Sequence, residues 1–362
     1  MRILAASAGV LLVLIVLWDG FETIVLARRV SRELRLTRFF YWATWRPYCL
    51  VSRFFPAGNR RENFLSVYGP MSLILLLVLW AVALVAGFAL LQWGLGAGVE
   101  APEGMNQFQA EVYLSGTNFF TLGLGDVRPL RSVGRLLTVL ESGTGFAFLA
   151  LIIGFLPGVS AAFSRRELNI SLLDARAGSP PSATELLKRQ CAEGHGADLK
   201  ILLGDWERWS AELLESHISF PVLAYFRSQH DNQSWLSSLT AMLDTCALVI
   251  VGVDSASRQQ ARLTFAIARH AVVDMCNVLG QHPLPEPLQR ISPDTLERVR
   301  EELEHSGLAP ARGAEADRKL DELRAMYEPY VGALSVHLLM PLPAWIRTDT
   351  VRENWLSRVR EF

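Results

Sequence analysis

Thr121-Leu122-Gly123-Leu124-Gly125-Asp126 is the stretch on which the reading of this chain turns. Glycines alternate with larger residues in a loop that lies between two long apolar segments. Glycine takes up positive φ at no steric cost, so alternating glycines allow a backbone whose carbonyls aim at a common axis. A ring of such carbonyls replaces the water around a cation as it crosses a membrane. Few other tasks call for this hexapeptide between two membrane spans.

Working outward, three segments are long and apolar enough to cross the hydrocarbon core as helices. They run from about Ile3 to Leu26, from about Phe64 to Trp93, and from about Val133 to Pro157. The first competes with a signal-peptide reading. Its small residues Ala5, Ala6 and Ala8 precede the apolar run rather than closing it, so a retained span is expected. Asp19 and Glu22 fall near its inner end, with Arg28 and Arg29 as expected partners. Trp80 and Trp93 serve as packing or interface anchors in the second span.

Charge sets the expected orientation. Residues 28–61 carry nine arginines against the single Glu33, whereas residues 94–127 carry four acids and no Arg or Lys. The positive-inside rule places the first stretch in the cytoplasm, and the second stretch and the amino terminus outside. Arg29, Arg32, Arg35 and Arg38 recur every third residue, as in a voltage sensor. A sensor needs an insulating bundle around it, and one span precedes this stretch. An interfacial amphipathic helix is therefore expected, with Val30, Leu34, Phe40 and Tyr41 towards lipid. Trp42, Trp45, Tyr48, Phe54 and Phe55 form an expected elbow against the second span.

With its short preceding helix and its Gly134-Arg135-Leu136 continuation, the hexapeptide resembles the pore module of the potassium channel superfamily, of the two-span-plus-loop kind. The resemblance covers roughly residues 64–160. It implies an outer helix at 64–93, a pore helix at 107–120, a selectivity filter at 121–126 and an inner helix at 133–157. Carbonyls of Thr121, Leu122, Gly123, Leu124 and Gly125 would hold potassium, the hydroxyl of Thr121 serving the innermost site, and Asp126 would brace the outer mouth. Gly145 falls on the family's inner-helix hinge, with Gly143 beside it. A homotetramer is implied, since each chain supplies one loop.

Departures from the pattern matter. Leu124 stands where a tyrosine hydroxyl usually props the filter, Phe120 where a small hydroxyl residue is common, and Thr117 where an acidic or aliphatic residue is common. Asn118 reads either as a polar brace or as a satisfied pore-helix residue. Glu141 sits two helical turns into the inner span, and an intramembrane carboxylate faces protein, water or ions. It is expected to brace the filter from behind, with cavity lining as the other reading. Gly154, Pro157 and Gly158 mark a bend and a gate region at Phe155–Phe163.

The acidic count shifts sharply along the chain, from nine in residues 1–160 to twenty-seven in residues 161–362. The second part reads as an α-helical cytoplasmic domain for regulation or assembly, so the fold class is a mainly α membrane protein. A transition segment at Leu168–Leu173 suits a short strand or helix end. Helices are expected from a Ser182/Glu185 capping box through Cys191, from Lys200 to Ser216, and at 221–229, 233–252, 255–280, 293–305, 312–339 and 348–360. A strand followed by Gly-x-Gly-x-x-Gly is missing, which argues against a nucleotide-binding domain.

His217, His230, His270 and Asp274 raise a metal or catalytic reading, but no third ligand has suitable spacing. Cys49, Cys191, Cys246 and Cys276 follow neither a zinc nor a disulfide pattern. Three lysines (Lys188, Lys200 and Lys319) and a net charge of −1 leave no nucleic-acid footprint. No enzyme chemistry and no cofactor are expected, with potassium as the permeant ion. Membrane lipids and an unidentified cytoplasmic ligand are the candidate partners, and a bacterial inner membrane is the expected location. The alternatives are a weakly selective cation channel and a non-conducting sensor or scaffold.

Overall fold

The structure, a computed structural model, describes residues 1–26, 35–56, 58–191, 196–230, 232–286 and 288–347. The Arg29 and Arg32 positions, Glu33, Val30, Leu34 and the expected 348–360 helix lie outside the described residues. The chain is mainly helical and divides into two compact units. The first comprises residues 1–56 and 67–160, and the second residues 57–66 and 161–362. Among the described residues, three helices are long and apolar enough to cross a membrane: Arg2–Val25, Asn59–Leu95 and Ser132–Ala177.

In the first unit, α1 (Arg2–Gly20) passes into a π-helical turn (Phe21–Val25), and α2 (Leu36–Ser52) follows. Small residues let α1 approach α3 (Asn59–Leu95) closely: a Cβ added at Gly9 would stand 2.6 Å from the Gly87 carbonyl oxygen. One at Gly94 would collide with the Ala6 backbone. Val13, Val16, Phe40, Leu76, Trp80, Leu84 and Phe88 then share one apolar core. Phe40 is thus buried against α1 and α3, not turned to lipid as expected, while Phe39 and Trp42 are exposed. The expected elbow is built by Trp45 and Tyr48, whose rings lie 4.6 and 4.9 Å from that of Tyr68.

Asp19 is one of the two carboxylates whose expected partners, Arg28 and Arg29, lie outside the described residues. It accepts from Trp80 Nε1 (3.1 Å) and from the Thr37 hydroxyl (2.5 Å), while Glu22 accepts from Trp18 Nε1 (2.7 Å) and pairs with Arg35. Indole and hydroxyl donors thus hold Asp19.

The remaining elements of this unit are strand β1 (Val99–Glu100), α4 (Gln107–Phe119), strand β2 (Arg128–Pro129) and the upper part of α5 (Ser132–Ala177). The strands pair antiparallel, Val99 opposite Pro129 and Glu100 opposite Arg128. Helix α5 continues twenty residues beyond the expected end at Pro157. Proline removes one ladder bond without ending a helix that is well supported on both sides. Leu168–Leu173 is accordingly helical, with Ile170 and Leu173 buried.

The second unit is a helical bundle. Helix α6 (Ala183–Cys191) starts with Ser182 Oγ accepting from the Glu185 amide, and α7 spans Gly196–Ser219. A 3₁₀ turn, Pro221–Tyr225, replaces the helix expected at 221–229. Helix α8 (Trp235–Val251) has 17 residues, or about 25 Å of rise. It is buried on all sides as the unit's central helix, which explains its continuous apolar sequence. Helices α9 (Arg258–Val278), α10 (Pro293–His305), α11 (Ala314–Ala325) and α12 (Glu328–Leu338) complete the unit. The single helix expected at 312–339 is broken at Tyr327, because Pro329 has no amide to continue the ladder and its ring would clash with the carbonyl four residues back, at Ala325 where α11 ends.

Several buried charges here are ion-paired, while Asp174 accepts from the Ser179 hydroxyl at 2.6 Å. Arg290 reaches Asp244 at 2.5 Å and Glu328 at 3.5 Å, and Tyr327 donates to Asp244 at 2.5 Å. Arg166 is buried against Glu167 and donates to the carbonyls of Leu223 (2.8 Å) and Phe226 (2.9 Å). Burial, with Arg166 beside it, pulls His217 down to about 3. None of the four cysteines forms a disulfide; Cys246 and Cys276 are buried, and Cys49 and Cys191 are half-buried.

Candidate ion-conduction site

Helix α4 is short and firmly started. Asn106 accepts from the Gln109 amide (2.9 Å), and the Gln109 side chain accepts from the Asn106 amide (3.3 Å). Its far end passes directly into the hexapeptide through the Thr121 amide on Asn118 O (3.0 Å) and the Leu122 amide on Thr117 O (2.8 Å). A helix carboxyl end carries partial negative charge, which favours a cation at that point.

The backbone of the hexapeptide alternates. Thr121, Gly123 and Gly125 have φ of +56°, +58° and +77°, whereas Leu122 and Leu124 are not in the positive region. For a β-branched residue such as Thr121 this is a strained conformation, costing on the order of 1–3 kcal/mol. All six residues from Thr121 to Asp126 are exposed in the single chain. Beyond them, Asp126 accepts from the Tyr113 hydroxyl (2.9 Å), and Arg128 Nε donates to the Gly125 carbonyl (2.8 Å). The β1–β2 pair holds this outgoing chain beside the segment that leads into α4.

The residues expected to support this loop lie on α4 and α5. Thr117 returns its hydroxyl to Leu114 O (2.9 Å) within its own helix, and Asn118 Nδ2 donates to Thr138 Oγ1 of α5 (3.3 Å). Glu141 is fully buried: Gln92 Nε2 of α3 donates to its Oε2 (3.1 Å), and Ser115 Oγ of α4 contacts its Oε1. Ser115 Oγ also lies 2.7 Å from the Val85 carbonyl. Gly145 lies against the Phe119 carbonyl so closely that a Cβ would overlap it, while Gly143 faces open space. The structure therefore distinguishes the two glycines. Gly145 permits a helix contact; a Cβ at Gly143 would meet no atom within 4 Å beyond its own helix.

Sequence reasoning missed Gln92, Ser115, Tyr113 and Arg128. A signal existed for Gln92, a lone amide at the end of an apolar run, but its partner is forty-nine positions away. Of the histidines, His270 stands 3.3 Å from Asp274 on the surface of α9, and His217 is enclosed by α7 and Arg166. Among the described residues, no three His, Cys, Asp or Glu side chains are grouped to hold a metal.

Residues 73–157 match the family described as ion channel. The matched segment takes in α4, the hexapeptide and the flanking parts of α3 and α5. It supports an ion channel and points away from an enzyme. The chain is also similar to the uncharacterized membrane protein YdjJ of Bacillus subtilis (strain 168), at 23% identity over 238 residues, or 62% of this chain and 67% of that protein. No solved structure matches. With three apolar helices of spanning length, these likenesses support a protein embedded in a membrane.

Proposed function

We propose that this chain is one subunit of a homotetrameric, potassium-selective channel that conducts passively across a bacterial inner membrane. The observation that carries the reading is the alternation of positive φ at Thr121, Gly123 and Gly125 in an exposed loop at the carboxyl end of α4. Such alternation directs successive carbonyls to one side, and strain at Thr121 persists where the surroundings demand it. Carbonyls of Thr121, Leu122, Gly123, Leu124 and Gly125 would replace the ion's water, and the Thr121 hydroxyl would serve the innermost site. Asp126, held by Tyr113, would brace the outer mouth. Thr117, Asn118 and Glu141 support the loop from behind, and Gly143 is the free hinge position.

Tetramer assembly is supported by the apolar surface of the single chain. Phe120, Leu122, Leu124, Phe146, Leu149 and Ile153 are all exposed, and copies arranged about the loop would cover them. The Arg-rich 28–61 stretch supports a cytoplasmic second unit and an external amino terminus.

Gating by the second unit is supported by the segment after α7. Its Leu223 and Phe226 carbonyls hold Arg166 of α5, and its Arg227 pairs with Glu62 of α3 at 3.4 Å. One segment thus grips the lower parts of both helices within this unit, where a cytoplasmic ligand would act. Leu124 favours a second reading, a weakly selective cation channel, because it offers no hydroxyl to stiffen the filter.

Potassium-loaded liposomes carrying the purified protein test both readings. Potassium flux with little sodium flux, lost in Gly123→Ala and altered at rest in Arg227→Ala, is the expected result. Equal sodium flux establishes the weakly selective channel, and verified tetramers passing no cation in either variant or parent overturn the proposal in favour of a scaffold.

A further inference from the structure

Glu141 is fully buried in α5, yet the groups facing it are neutral: Gln92 from α3, and Ser115 and Asn118 from α4. A carboxylate inside a membrane span without a cation beside it is costly. The hydrogen bonds around Ser115 supply a separate constraint. Its oxygen lies 2.7 Å from the Val85 carbonyl and in hydrogen-bond contact with Glu141 Oε1. A serine hydroxyl has one proton, whereas a carbonyl and a carboxylate can only accept. Both contacts are satisfied together when the carboxyl carries the second proton. The order is then Glu141 O–H to Ser115 Oγ, and Ser115 O–H to Val85 O, with Gln92 Nε2 donating to the other carboxyl oxygen.

We propose that Glu141 works as an uncharged carboxylic acid whose proton completes a strut across α3, α4 and α5, and that this strut positions the filter and thereby sets its ion selectivity. The selectivity part rests on the channel reading; the strut does not. Its placement suits the task. Ser115 lies two residues before Thr117, whose carbonyl holds the Leu122 amide at the filter entrance. Gly145, one helical turn below Glu141, lets α5 meet the Phe119 carbonyl at the end of the same α4. Two adjacent turns of α5 thus fix the helix that delivers the loop. Leu124 has no polar atom with which to prop the filter itself, so its position is set from this side.

Three variants in the full-length reconstituted protein test the inference: Glu141→Gln, Glu141→Ala and Ser115→Ala. Glutamine keeps a donor for Ser115 and an acceptor for Gln92, so Glu141→Gln is expected to preserve the potassium-to-sodium flux ratio within about twofold. Glu141→Ala and Ser115→Ala leave buried polar groups unpaired and are expected to lower the ratio about tenfold. Infrared spectra of the parent at neutral pH should show a protonated-carboxyl band that Glu141→Gln removes. Hydrogen exchange of the Leu122 amide should accelerate in Glu141→Ala but not in Glu141→Gln.

Absence of the protonated band, or a glutamine variant as damaged as the alanine one, overturns the inference, since a charge would then be required. The band and the exchange rate are read without any flux. A protein that shows both but conducts nothing retains the strut and loses only the channel reading. A selective channel without the band retains the channel and loses the strut.

Discussion

The most deeply buried carboxylates of the two units have opposite kinds of partner. In the first, Asp19 is held by Trp80 and Thr37, and Glu141 by Gln92 and Ser115, all neutral partners. In the second, Asp244 meets Arg290 and Tyr327, Glu328 meets Arg324 and Arg290, and Glu167 meets Arg166. A helix that enters a bilayer gains little from an arginine whose own desolvation must also be offset, so amides, indoles and hydroxyls serve instead. In the second unit, Asp244, Glu328 and Glu167 instead close into ion pairs with arginine. Glu22, at the end of α1, combines both modes by accepting from Trp18 and pairing with Arg35.

Predictions that test this comparison differ in size. The largest effect belongs to the loop itself. Gly123 has φ +58°, where a side chain costs about 1–2 kcal/mol per residue. Repeated in each copy of the proposed tetramer, Gly123→Ala should reduce potassium flux by at least about 100-fold, a 1.4 kcal/mol change being about tenfold. Undiminished flux from liposomes would remove the reason for glycine there.

Next comes Asp244→Asn, which leaves Arg290 buried with its main counter-charge gone. It should destabilise the second unit by about 3–5 kcal/mol in denaturant unfolding. The matching change in the first unit, Glu141→Gln, should be mild. If the two cost the same, the contrast between the units fails.

Gly94→Val forces α3 away from the Ala6 backbone and should cost about 1–3 kcal/mol, seen as earlier thermal aggregation in detergent. Leu95→Val, on an exposed neighbouring position, serves as the control.

The smallest effect concerns pH. His217 binds its proton at about 3 in the folded state against an ordinary 6.5, so the unfolded chain binds more protons between these values. Stability of the second unit should therefore decline as pH falls below 6.5, by up to about 1.4 kcal/mol per pH unit. His217→Gln should flatten the slope between pH 6.5 and 5, before the carboxylates titrate. An unchanged slope would show that the histidine is charged or open to water in the folded protein.

Legibility in the sequence followed the range of the interaction. Local pattern marked the three apolar helices and most of the bundle, because hydrophobic period and length depend on neighbouring residues. Ser182 marked a helix start for the same reason, accepting from the Glu185 amide three residues on. Boundaries were misjudged where a proline cut both ways. Pro157 let α5 run on to Ala177, whereas Pro329 helped to divide the expected 312–339 helix. Phe40 was misplaced because an amphipathic pattern does not say whether lipid or another helix covers the apolar side.

By itself the sequence determined that this chain has three membrane-length helices, a Gly-alternating loop between the last two, and a charged helical part after them. Each property resides in composition over a short window. Tertiary structure alone decided which side chains meet: Trp80 with Asp19, Gln92 and Ser115 with Glu141, Arg290 with Asp244. It also showed that Gly145 is filled against Phe119 while Gly143 is free. Those pairings join residues far apart in the chain, and a buried polar group accepts whichever donor the packing brings within about 3 Å.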